Sequence, residues 1–566
     1  MGGFQVYSDP VTIPFGPLTL LYGPNSAGKS AILDAMLAMA GLCELWAPAN
    51  PSFASDRKSV NSILGRHWRR EGVMQAALVE ALLLGAVIRI GGSEWAMAGF
   101  AKKNFGFEPI ATQPLYPRFS EPLSCLQPLV KAKEVDVAVS FQYVLSEQGQ
   151  PSEGFAIGNL LEISLGDAPI LRYSQPGQWA SINLNHAALL AWNTGVDLKW
   201  IAPRSEQVCE YIDGWFTMSH SCLNYSGLTT NAGDQMELIP RESLTAEENV
   251  RVRSAETSFI NMFDALFLAS LKSVGDALRV PVVPASRVVP RSSELTYILD
   301  AQANPLPGEP LGLLMNGLPK HQSITREAFI IEMERCGLRK PPEGFLGGRL
   351  PRSEKNPLDL VNRLLGDYLF RTSGYFVAAN VHELTLLGGL EGLRQNPKNV
   401  DRKFLVSLEL RDAAGRHFNF DEVGSGLGYV LPVLLAIATS DVTFLQQPEL
   451  HLHPALQSEL ADALIVALSD AAFGGISAEG CRQIIAETHS EHLLLRLLRR
   501  VRQAADPDRS IDPHSFGRED LVVLYVDPKP DGTSTVKHLR IAKDGEFIDR
   551  WPRGFFEERG KELFDE

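Results

Sequence analysis

Short hydrophobic runs and helical patterns follow each other at both ends of the chain. The apolar run Leu18–Tyr22 precedes a glycine-containing turn, and a pattern rich in Ala, Leu and Met follows from Lys29 to Gly41. An uninterrupted apolar run of this kind is typical of a parallel strand that is buried on both faces. The order strand, glycine loop, helix therefore predicts α/β structure in the N-terminal part.

The C-terminal part shows the same alternation, whereas the middle mixes strand-like and helical pieces with proline- and glycine-rich turns. We predict strands at residues 404–410, 441–446, 483–487, 521–526 and 536–541, and helices at residues 427–438, 455–468 and 490–502. The predicted fold class is α/β, with an N-terminal lobe at residues 1–115 and a C-terminal lobe at residues 401–566. Residues 116–400 are predicted to form a mixed α+β insertion between the lobes.

The composition is that of an ordinary globular protein, with 566 residues of which 45% are hydrophobic and 21% charged. This length predicts about two or three domains. The net charge of −14 argues against a protein that coats nucleic acid. The six cysteines form no CxxC pair, which indicates reduced thiols. No secretory signal is evident and the apolar runs are too short to span a bilayer, so we expect a cytoplasmic protein and no membrane partner.

The strongest motif lies directly after the first apolar run and matches GxxxxGK[ST]. Its residues are Gly23, Pro24, Asn25, Ser26, Ala27, Gly28, Lys29 and Ser30. Glycines let backbone N–H groups turn toward phosphate oxygens, and the following helix presents its positive end to the same anion. In this pattern the lysine reaches the β- and γ-phosphates and the serine hydroxyl binds Mg²⁺. A P-loop between a buried strand and a helix predicts an ATP site with Mg²⁺.

A glycine-serine turn opens the apolar helix predicted in the C-terminal part. Ser425 and Gly426 lie at the start of this helix, where a serine and free N–H groups can hold a γ-phosphate. The alternative is that Ser425 is an ordinary N-cap residue.

Two predicted strands of the C-terminal part end in polar residues. One ends in Gln446, Gln447, Pro448 and Glu449, at the position where a Mg²⁺-binding acid and a catalytic base normally lie beside a P-loop. The other leads to His489, which can sense a γ-phosphate, although a lone histidine is more often a capped or surface residue. The order of all four segments along the chain favours the functional interpretation.

These segments resemble the AAA-type, ABC/OLD-like ATPases of prokaryotes through YGPNSAGKS, DEVGSGLGYVLP, FLQQPELHLHPALQ and IIAETHSEHLLLRLLRR. More narrowly, the chain is similar to an uncharacterised family with the tail WPxGFF, here Trp551–Phe556, and with the segment VPASRVVPRSSELTY around Arg287. The resemblance implies an ABC-type P-loop head that forms a homodimer or higher homo-oligomer, with ATP between one subunit's P-loop and the other's Ser425. It also implies relatives in phage defence and DNA maintenance that often act beside a nuclease.

The chain departs from this resemblance at the end of one strand. Related ATPases have Asp-Glu there, or Glu-Gln in the narrower family, where this chain has Gln446 and Gln447. A carboxamide is a poor Mg²⁺ ligand beside a carboxylate and is not a general base at neutral pH. Either Gln446 is a Glu→Gln change that traps the ATP state, or the natural protein hydrolyses ATP slowly. Glu449 is a substitute base or a turn cap, and Gly428 stands where the narrower family usually has serine.

Two functional hypotheses remain. In the first, the chain is an ATPase whose head closure controls an effector protein, such as a nuclease or toxin, or the engagement of nucleic acid. The resemblance implies antiviral defence as its setting. Its candidate catalytic residues are Gln446, Gln447, Glu449 and His489, and its candidate Mg²⁺ ligands are Ser30 and Gln446. In the second, the chain is a non-hydrolysing, ATP-gated scaffold for such an effector.

Three other groups of residues have less specific interpretations. We interpret His451 and His453 as part of an inter-subunit loop and not as a metal site, because their spacing does not suit a helical metal pair. Asp527 and Asp531 lie in a proline- and glycine-rich turn, which argues against a nuclease centre. A group of arginines forms either a solvated helix face or a phosphate contact: Arg496, Arg499, Arg500 and Arg502.

Overall fold

The computed structural model describes most of both ends of the chain and parts of the middle. The described residues are 1–2, 4–46, 81–92, 95, 131–145, 156–175, 179–183, 186, 209–212, 215–219, 245–247, 266–287, 296–299, 357–371, 373–385, 402–420, 422–440, 442–469, 482–505, 516–550 and 552. The boundaries predicted near residues 115 and 400 lie outside these ranges, so the three-part division stays a prediction. Most of the tail motif also lies outside the described residues.

The elements alternate between strands and helices at both ends of the chain. The strands are β1 (Leu18–Tyr22), β2 (Ala81–Ile90), β3 (Val135–Leu145), β4 (Ala156–Leu165), β5 (Ala168–Gln175), β6 (Trp179–Asn183), β7 (Cys209–Ile212), β8 (Trp215–Ser219), β9 (Val282–Val283), β10 (Thr296–Leu299), β11 (Phe376–Thr385), β12 (Arg402–Arg411), β13 (His417–Phe418), β14 (Val442–Gln446), β15 (Gln483–Glu487), β16 (Leu521–Pro528) and β17 (Ser534–Leu539). The α-helices include α1 (Lys29–Trp46), α2 (Pro357–Leu364), α3 (Ser425–Thr439), α4 (Pro454–Ser469) and α5 (Glu491–Ala505). A π-helical segment, Leu365–Leu369, follows α2.

The chain folds into two compact units, and each unit combines segments that are distant in sequence. Unit 1 comprises Met1–Thr12, Ser30–Arg279 and Lys529–Ser534. Unit 2 comprises Ile13–Lys29, Val280–Pro528 and Thr535–Glu566.

The centre of unit 2 is a six-stranded sheet in the order β17-β16-β1-β15-β14-β9. Strand β1 is parallel to β15 on one side and to β16 on the other, and β14 is parallel to β15 and β9. All residues of β1 are buried, as expected for a strand that is covered on both faces. The strand that precedes the P-loop therefore lies among strands from the second half of the chain, and the predicted α/β fold built from both ends is confirmed.

Helices and a smaller antiparallel sheet complete the hydrophobic core of unit 2. Helix α3 is buried along nearly its whole length despite Pro432, and both α3 and α4 contribute to one continuous core. The buried Arg482 donates hydrogen bonds to the carbonyls of Ile437 (2.8 Å) and Ala438 (3.4 Å) in the last turn of α3. These bonds satisfy acceptors that a helix end leaves open. The smaller sheet has the order β10-β12-β11, and β13 pairs with β12.

Helix α5 packs one apolar face into this core. Its buried residues are Leu493, Leu494, Leu497, Leu498 and Val501, which recur at helical spacing. Arginines on its other positions are partly exposed and bind acceptors of unit 2, as described below.

Unit 1 contains a seven-stranded antiparallel sheet in the order β2-β3-β4-β5-β6-β8-β7. In β3, the residues at every second position from Val135 to Tyr143 are buried, which is the pattern of a sheet with one covered face. Residues 266–278 are helical, and a Cβ added at Gly275 would lie 2.9 Å from Cβ of Cys43 in α1. Glycine at position 275 therefore permits the close approach of these two helices.

The sequence prediction identified most elements of unit 2, with errors at their ends. Strands β1 and β15 have the predicted bounds, whereas α1 continues past Gly41 to Trp46 and β17 begins two residues before the predicted 536. Glycine lowers helix stability by only about 1 kcal/mol, so neighbouring residues carry the helix through it. None of the described helices is long and apolar enough to cross a membrane.

Candidate functional site

The carboxyl ends of β1, β14 and β15 bring polar residues together at one edge of the parallel sheet of unit 2. Register pairs join Gln446 of β14 to Glu487 of β15, and Glu487 to Leu21 of β1. The P-loop leaves β1 at this edge, and the segments after β14 and β15 carry Glu449 and His489. Ligands of open parallel sheets bind at this edge.

The P-loop has the backbone conformation of an anion-binding turn. Gly23 has a φ of 147°, and a Cβ there would lie 2.6 Å from the carbonyl oxygen of Val526, so only glycine fits. Gly28 and Ser26 also have positive φ values, 101° and 63°. The N–H of Ala27 donates to Pro24 O at 3.3 Å and closes the turn. Successive N–H groups in such a conformation form a concave site for phosphate.

The lysine of the P-loop is buried at the base of this turn. Lys29 is 4% exposed, and its Nζ donates hydrogen bonds to Gly23 O at 3.0 Å and Pro24 O at 2.9 Å. The same Nζ lies 3.7 Å from Oε1 of Glu487. Burial lowers the pKa of Lys29, and the charge of Glu487 partly opposes this shift. The ammonium group thus contacts two carbonyl oxygens and one carboxylate oxygen. These oxygens carry full or partial negative charge, as phosphate oxygens do.

The remaining P-loop residues are exposed at the tip or lie at the start of α1. Asn25 and Ser26 are exposed and Ala27 is buried. Ser30 is exposed and is the second residue of α1. Asn25 and Ser26 at the tip are therefore accessible to a ligand, while the assignment of Ser30 to Mg²⁺ stays a prediction.

The turn after β14 is held by a buried arginine. Arg287 donates hydrogen bonds to Gln446 O (3.1 Å), Gln447 O (2.9 Å) and Pro448 O (3.0 Å), and also to Tyr429 O of α3 and Pro284 O. Arg287 is 8% exposed, and burial lowers its pKa to about 10. This one side chain joins α3 to the turn that carries the candidate catalytic residues.

The two glutamines after β14 have different environments. The side-chain oxygen Oε1 of Gln446 accepts a hydrogen bond from the Ala285 N–H at 3.4 Å. Gln447 has a φ of 46° and its N–H donates to Glu487 O at 2.7 Å. A positive φ outside glycine is strained and occurs often at functional sites. Neither side chain provides a carboxylate, so the sequence departure noted above persists in the fold.

Glu449 links the turn after β14 to the segment after β15. Its Oε1 accepts a hydrogen bond from the His489 N–H at 2.9 Å, so the turn-capping alternative is realised at this oxygen. Its Oε2 is buried and has no hydrogen-bond partner among the described residues. Burial raises the pKa of Glu449 although the His489 N–H opposes the shift. A carboxyl group with one unbound oxygen and a raised pKa has the properties of a general base.

His489 lies half-buried next to the positive charge of the P-loop. Burial lowers its pKa, and the charge of Lys29 lowers it further. The imidazole is therefore neutral at pH values near 7. Ser490 follows, and its Oγ accepts from the Leu493 N–H at 3.0 Å, which caps α5 and fixes the direction of the chain after His489.

The start of α3 is exposed and contacts the loop after β14. Helix α3 begins at Ser425 with Gly424 at its N-cap position, so Ser425 is not the N-cap residue. Ser425 is exposed. A Cβ at Gly426 would lie 3.4 Å from Leu452 and 3.6 Å from the His451 carbonyl. The positions agree with a helix start that is open to a ligand, and the assignment of Ser425 and Gly426 to ATP stays a prediction.

The residues with less specific interpretations have structural partners. The His451 ring stacks on Tyr429 with centroids 4.0 Å apart, and His453 Nδ1 accepts from the Ala455 N–H. Among the described residues, no group of three His, Cys, Asp or Glu side chains is arranged to hold a metal ion. Asp527 pairs with Lys537, and Asp531 accepts from Thr533 in a turn.

Three of the four arginines on α5 also have partners in unit 2. Arg496 and Arg500 bind the buried Asp462 at 3.1 and 2.8 Å, and Arg502 binds Glu546. These contacts favour a structural role over a nucleic-acid surface.

Sequence reasoning missed two residues at this site. Glu487 ends a buried strand two residues before His489, and an acidic residue in that position was a usable signal. Arg287 was noticed only within a resemblance. Four of its five hydrogen bonds reach carbonyls at least 142 residues away in sequence, and no local pattern predicts such contacts.

Comparison with known proteins agrees with this geometry in part of the chain. Residues 324–496 match the family model described as "AAA domain, putative AbiEii toxin, Type IV TA system". The match includes α2, β14 and β15 and the segment with Ser425, Glu449 and His489, but it does not reach the P-loop. Residues 324–496 are thus similar in sequence to an AAA domain. No curated protein matches the chain.

Solved structures with some similarity are heads of SMC proteins. They include an SmcHead bound to the C-winged helix domain of ScpA (TM-score 0.39, 11% identity, 96% of each chain covered). They also include the SMC head domain from Thermotoga maritima (TM-score 0.32, 10% identity, 95% of this chain and 97% of that chain). A third is an Smc head with an extended coiled coil from Pyrococcus furiosus (TM-score 0.31, 11% identity, 100% and 97%). At these low TM-scores the likeness carries no conclusion about activity or partners.

Proposed function

We propose that this chain is a P-loop ATPase that binds ATP with Mg²⁺ at the carboxyl edge of the parallel sheet of unit 2. The observation that carries the proposal is the position of Lys29, whose buried ammonium group is held by two P-loop carbonyls and one carboxylate. Phosphate oxygens are stronger partners for an ammonium group than carbonyls are, because the phosphates carry a full negative charge. The same edge carries the strained turn after β14 and the half-buried His489.

The residues of this edge have separate proposed roles. The backbone N–H groups of the P-loop bind the phosphates, and Lys29 neutralises them. Ser30 supplies a hydroxyl oxygen to Mg²⁺, with the side-chain oxygen of Gln446 as a weaker candidate. Bound Mg²⁺ would neutralise phosphate charge and favour cleavage. Glu449 accepts a proton from the attacking water, and the neutral His489 donates a hydrogen bond to the γ-phosphate.

The donor chemistry fits this metal. Mg²⁺ prefers oxygen ligands and is usually held by one or two protein oxygens together with substrate phosphates and waters. The Ser30 hydroxyl group, the side-chain oxygen of Gln446 and the carboxylate of Glu487 at the end of β15 are oxygens of this kind. A preformed cage of several acidic side chains is not required.

We extend the proposal to assembly. The exposed start of α3 would bind the ATP of a second copy through Ser425 and Gly426, which gives a homodimer or a higher homo-oligomer. Closure of the two copies would control an effector protein such as a nuclease or toxin, or the engagement of nucleic acid. The proposed setting in antiviral defence rests on the sequence resemblance, and the word toxin in the matched family's description is compatible with it.

Nucleotide binding by Lys29→Ala tests the proposal. We expect the unchanged chain to bind a fluorescent ATP analogue and Lys29→Ala to lose at least about tenfold in affinity, because a charge-assisted contact to phosphate contributes about 1.5–3 kcal/mol. Lys543→Ala removes an exposed lysine and is the matched control. Equal affinity of all three proteins would contradict the proposal. Circular dichroism of each variant reports whether it folds.

One observation favours a second function, a non-hydrolysing scaffold gated by ATP. Neither Gln446 nor Gln447 carries a carboxylate, and the Oε1 of Gln446 is bonded to the Ala285 N–H. In that case ATP would drive association of the copies without turnover. Light scattering with ATP, together with phosphate release, separates the two functions.

A further inference from the structure

Glu487 is a carboxylate that pairs in register with Gln446, the position where this chain has glutamine instead of an acid. It is the last residue of β15, and β15 lies between β1 and β14. Its register partners are Gln446 on β14 and Leu21 on β1. A carboxylate at 487 is therefore one strand closer to the P-loop strand than a carboxylate at 446 would be.

The charge of Glu487 is committed to the P-loop lysine. Its Oε1 lies 3.7 Å from Lys29 Nζ, and both side chains are largely buried, with 11% and 4% exposure. A buried charge that loses its partner is costly, typically by several kcal/mol. Each charge of the Lys29–Glu487 pair is therefore compensated by the other as long as the Lys29 ammonium group contacts Glu487 and not a phosphate.

Nucleotide binding changes this balance. Phosphate oxygens would draw Lys29 away from Gly23 O, Pro24 O and Glu487, and the carboxylate would then lose the ammonium charge. A second cation at the same edge restores neutrality. The Mg²⁺ ion that accompanies ATP is a suitable cation, because Mg²⁺ binds phosphate and carboxylate oxygens at the same time.

We propose that Glu487 replaces the missing acid of β14 and supplies the protein carboxylate for the Mg²⁺ of bound ATP. This inference rests on the ATP site proposed above. In this proposal the carboxylate lies at the paired position on β15 instead of at the end of β14, so the site does not need an acid at 446.

Glu449 is less suited to this role. One of its oxygens accepts the His489 N–H, and its pKa is raised by burial, so it favours a proton more than an ordinary carboxylate does. A carboxylate with these properties serves as a proton acceptor. Glu487 instead lies against a cation already.

The test is the Mg²⁺ dependence of ATP affinity in Glu487→Gln. The dissociation constant for ATP is measured by calorimetry on the full chain, once with Mg²⁺ and once with EDTA. The unchanged chain should bind more tightly with Mg²⁺. In Glu487→Gln this gain should fall by at least about tenfold, since loss of an outer-shell partner alone costs about 10- to 100-fold in metal affinity. Its affinity in EDTA should stay equal or rise, because Lys29 is released from its carboxylate. Glu546→Gln neutralises an exposed carboxylate and is the control.

A second variant keeps the proposal testable if Glu487→Gln binds weakly for another reason. In Glu487→Gln combined with Gln446→Glu, the carboxylate returns to β14, and the Mg²⁺-dependent gain should return. A full Mg²⁺ gain in Glu487→Gln, or an equal loss of affinity with and without Mg²⁺ that the double variant does not repair, would overturn the inference while the ATP site stands. Absence of ATP binding by the unchanged chain would overturn both.

Discussion

Removal of the Arg287 guanidinium should loosen the turn that carries the candidate catalytic residues. The perturbation is Arg287→Met, which keeps an unbranched apolar stem but deletes every donor. Arg287 makes five hydrogen bonds to backbone carbonyls, three of them in the turn after β14. Backbone carbonyls thus hold the guanidinium, and the negative charge of Glu449 also favours its charged form.

The magnitude follows from two opposing contributions. Hydrogen bonds from a charged donor contribute about 1.5 kcal/mol each at the lower limit. Burial opposes them: it lowers the pKa of Arg287 from 12.5 to about 10, which corresponds to a cost of roughly 3 kcal/mol for the charged form. The net contribution is about 4 kcal/mol, within the range of about 3–5 kcal/mol that breaking a buried charged contact costs.

The assay is hydrogen exchange of the amides after β14. The N–H groups of Gln447, Leu450 and Leu452 are bonded within or next to this turn. A loss of about 4 kcal/mol in local stability speeds their exchange by two to three orders of magnitude, since about 1.4 kcal/mol corresponds to a factor of ten. Arg287→Lys keeps the charge but lacks the planar guanidinium group. Its exchange rates should therefore lie between those of the unchanged chain and those of Arg287→Met.

Exchange in the same amides should be unchanged in Arg540→Met, which removes an exposed arginine paired with Asp549. If Arg287→Met left exchange after β14 within about threefold of the unchanged chain, the carbonyl contacts would carry no local stability and the reasoning would fail.

Three further predictions concern stability. Gly545 and Gly415 both have a φ of 76°, but a Cβ at 545 would clash with Leu498 O while a Cβ at 415 would meet open space. Gly545→Ala should therefore have a free energy of unfolding in urea that is lower than that of Gly415→Ala by at least about 1 kcal/mol. Equal unfolding midpoints of the two variants would contradict this. Asp462→Ala should destabilise by roughly 3 kcal/mol, because Asp462 is 3% exposed and binds two arginines of α5; an unchanged melting temperature would exclude the effect. The pKa of Glu449 in the folded chain is raised above its usual 4.5, so its favourable contribution to folding stability is complete below pH 4.5 and is lost as pH rises through the folded pKa. The melting temperature of Glu449→Gln should therefore increase relative to that of the unchanged chain as pH rises. A difference that does not depend on pH would refute the raised pKa.

The parallel sheet of unit 2 was accessible from the sequence because its strands are buried on both faces. Such strands have apolar residues at consecutive positions, as in Leu18–Tyr22 and at the centre of Gln483–Glu487, and both strands were predicted with their observed bounds. The P-loop was accessible for a different reason, since its chemistry lies in consecutive residues. Local patterns therefore identified the strands and the loop that begin the site.

The pairing of the strands was not accessible from those patterns. The proximity of Glu487 to Gln446 and to Lys29 depends on β15 lying between β14 and β1, and strand order is set by packing over the whole sheet. The same holds for Arg287, which binds residues of α3 and of the turn after β14. Helix ends were also misjudged where a glycine did not end the helix, as at Gly41.

The most direct test of the ATPase proposal is phosphate release by the unchanged chain and by Gln446→Glu, with ATP binding measured in parallel. We expect that both bind ATP, that the unchanged chain turns it over slowly, and that turnover in both requires Mg²⁺. If both proteins bound ATP and their copies associated in its presence, but neither released phosphate, the chain would be an ATP-gated scaffold. If neither bound ATP, the assignment of the P-loop edge as the functional site would be wrong.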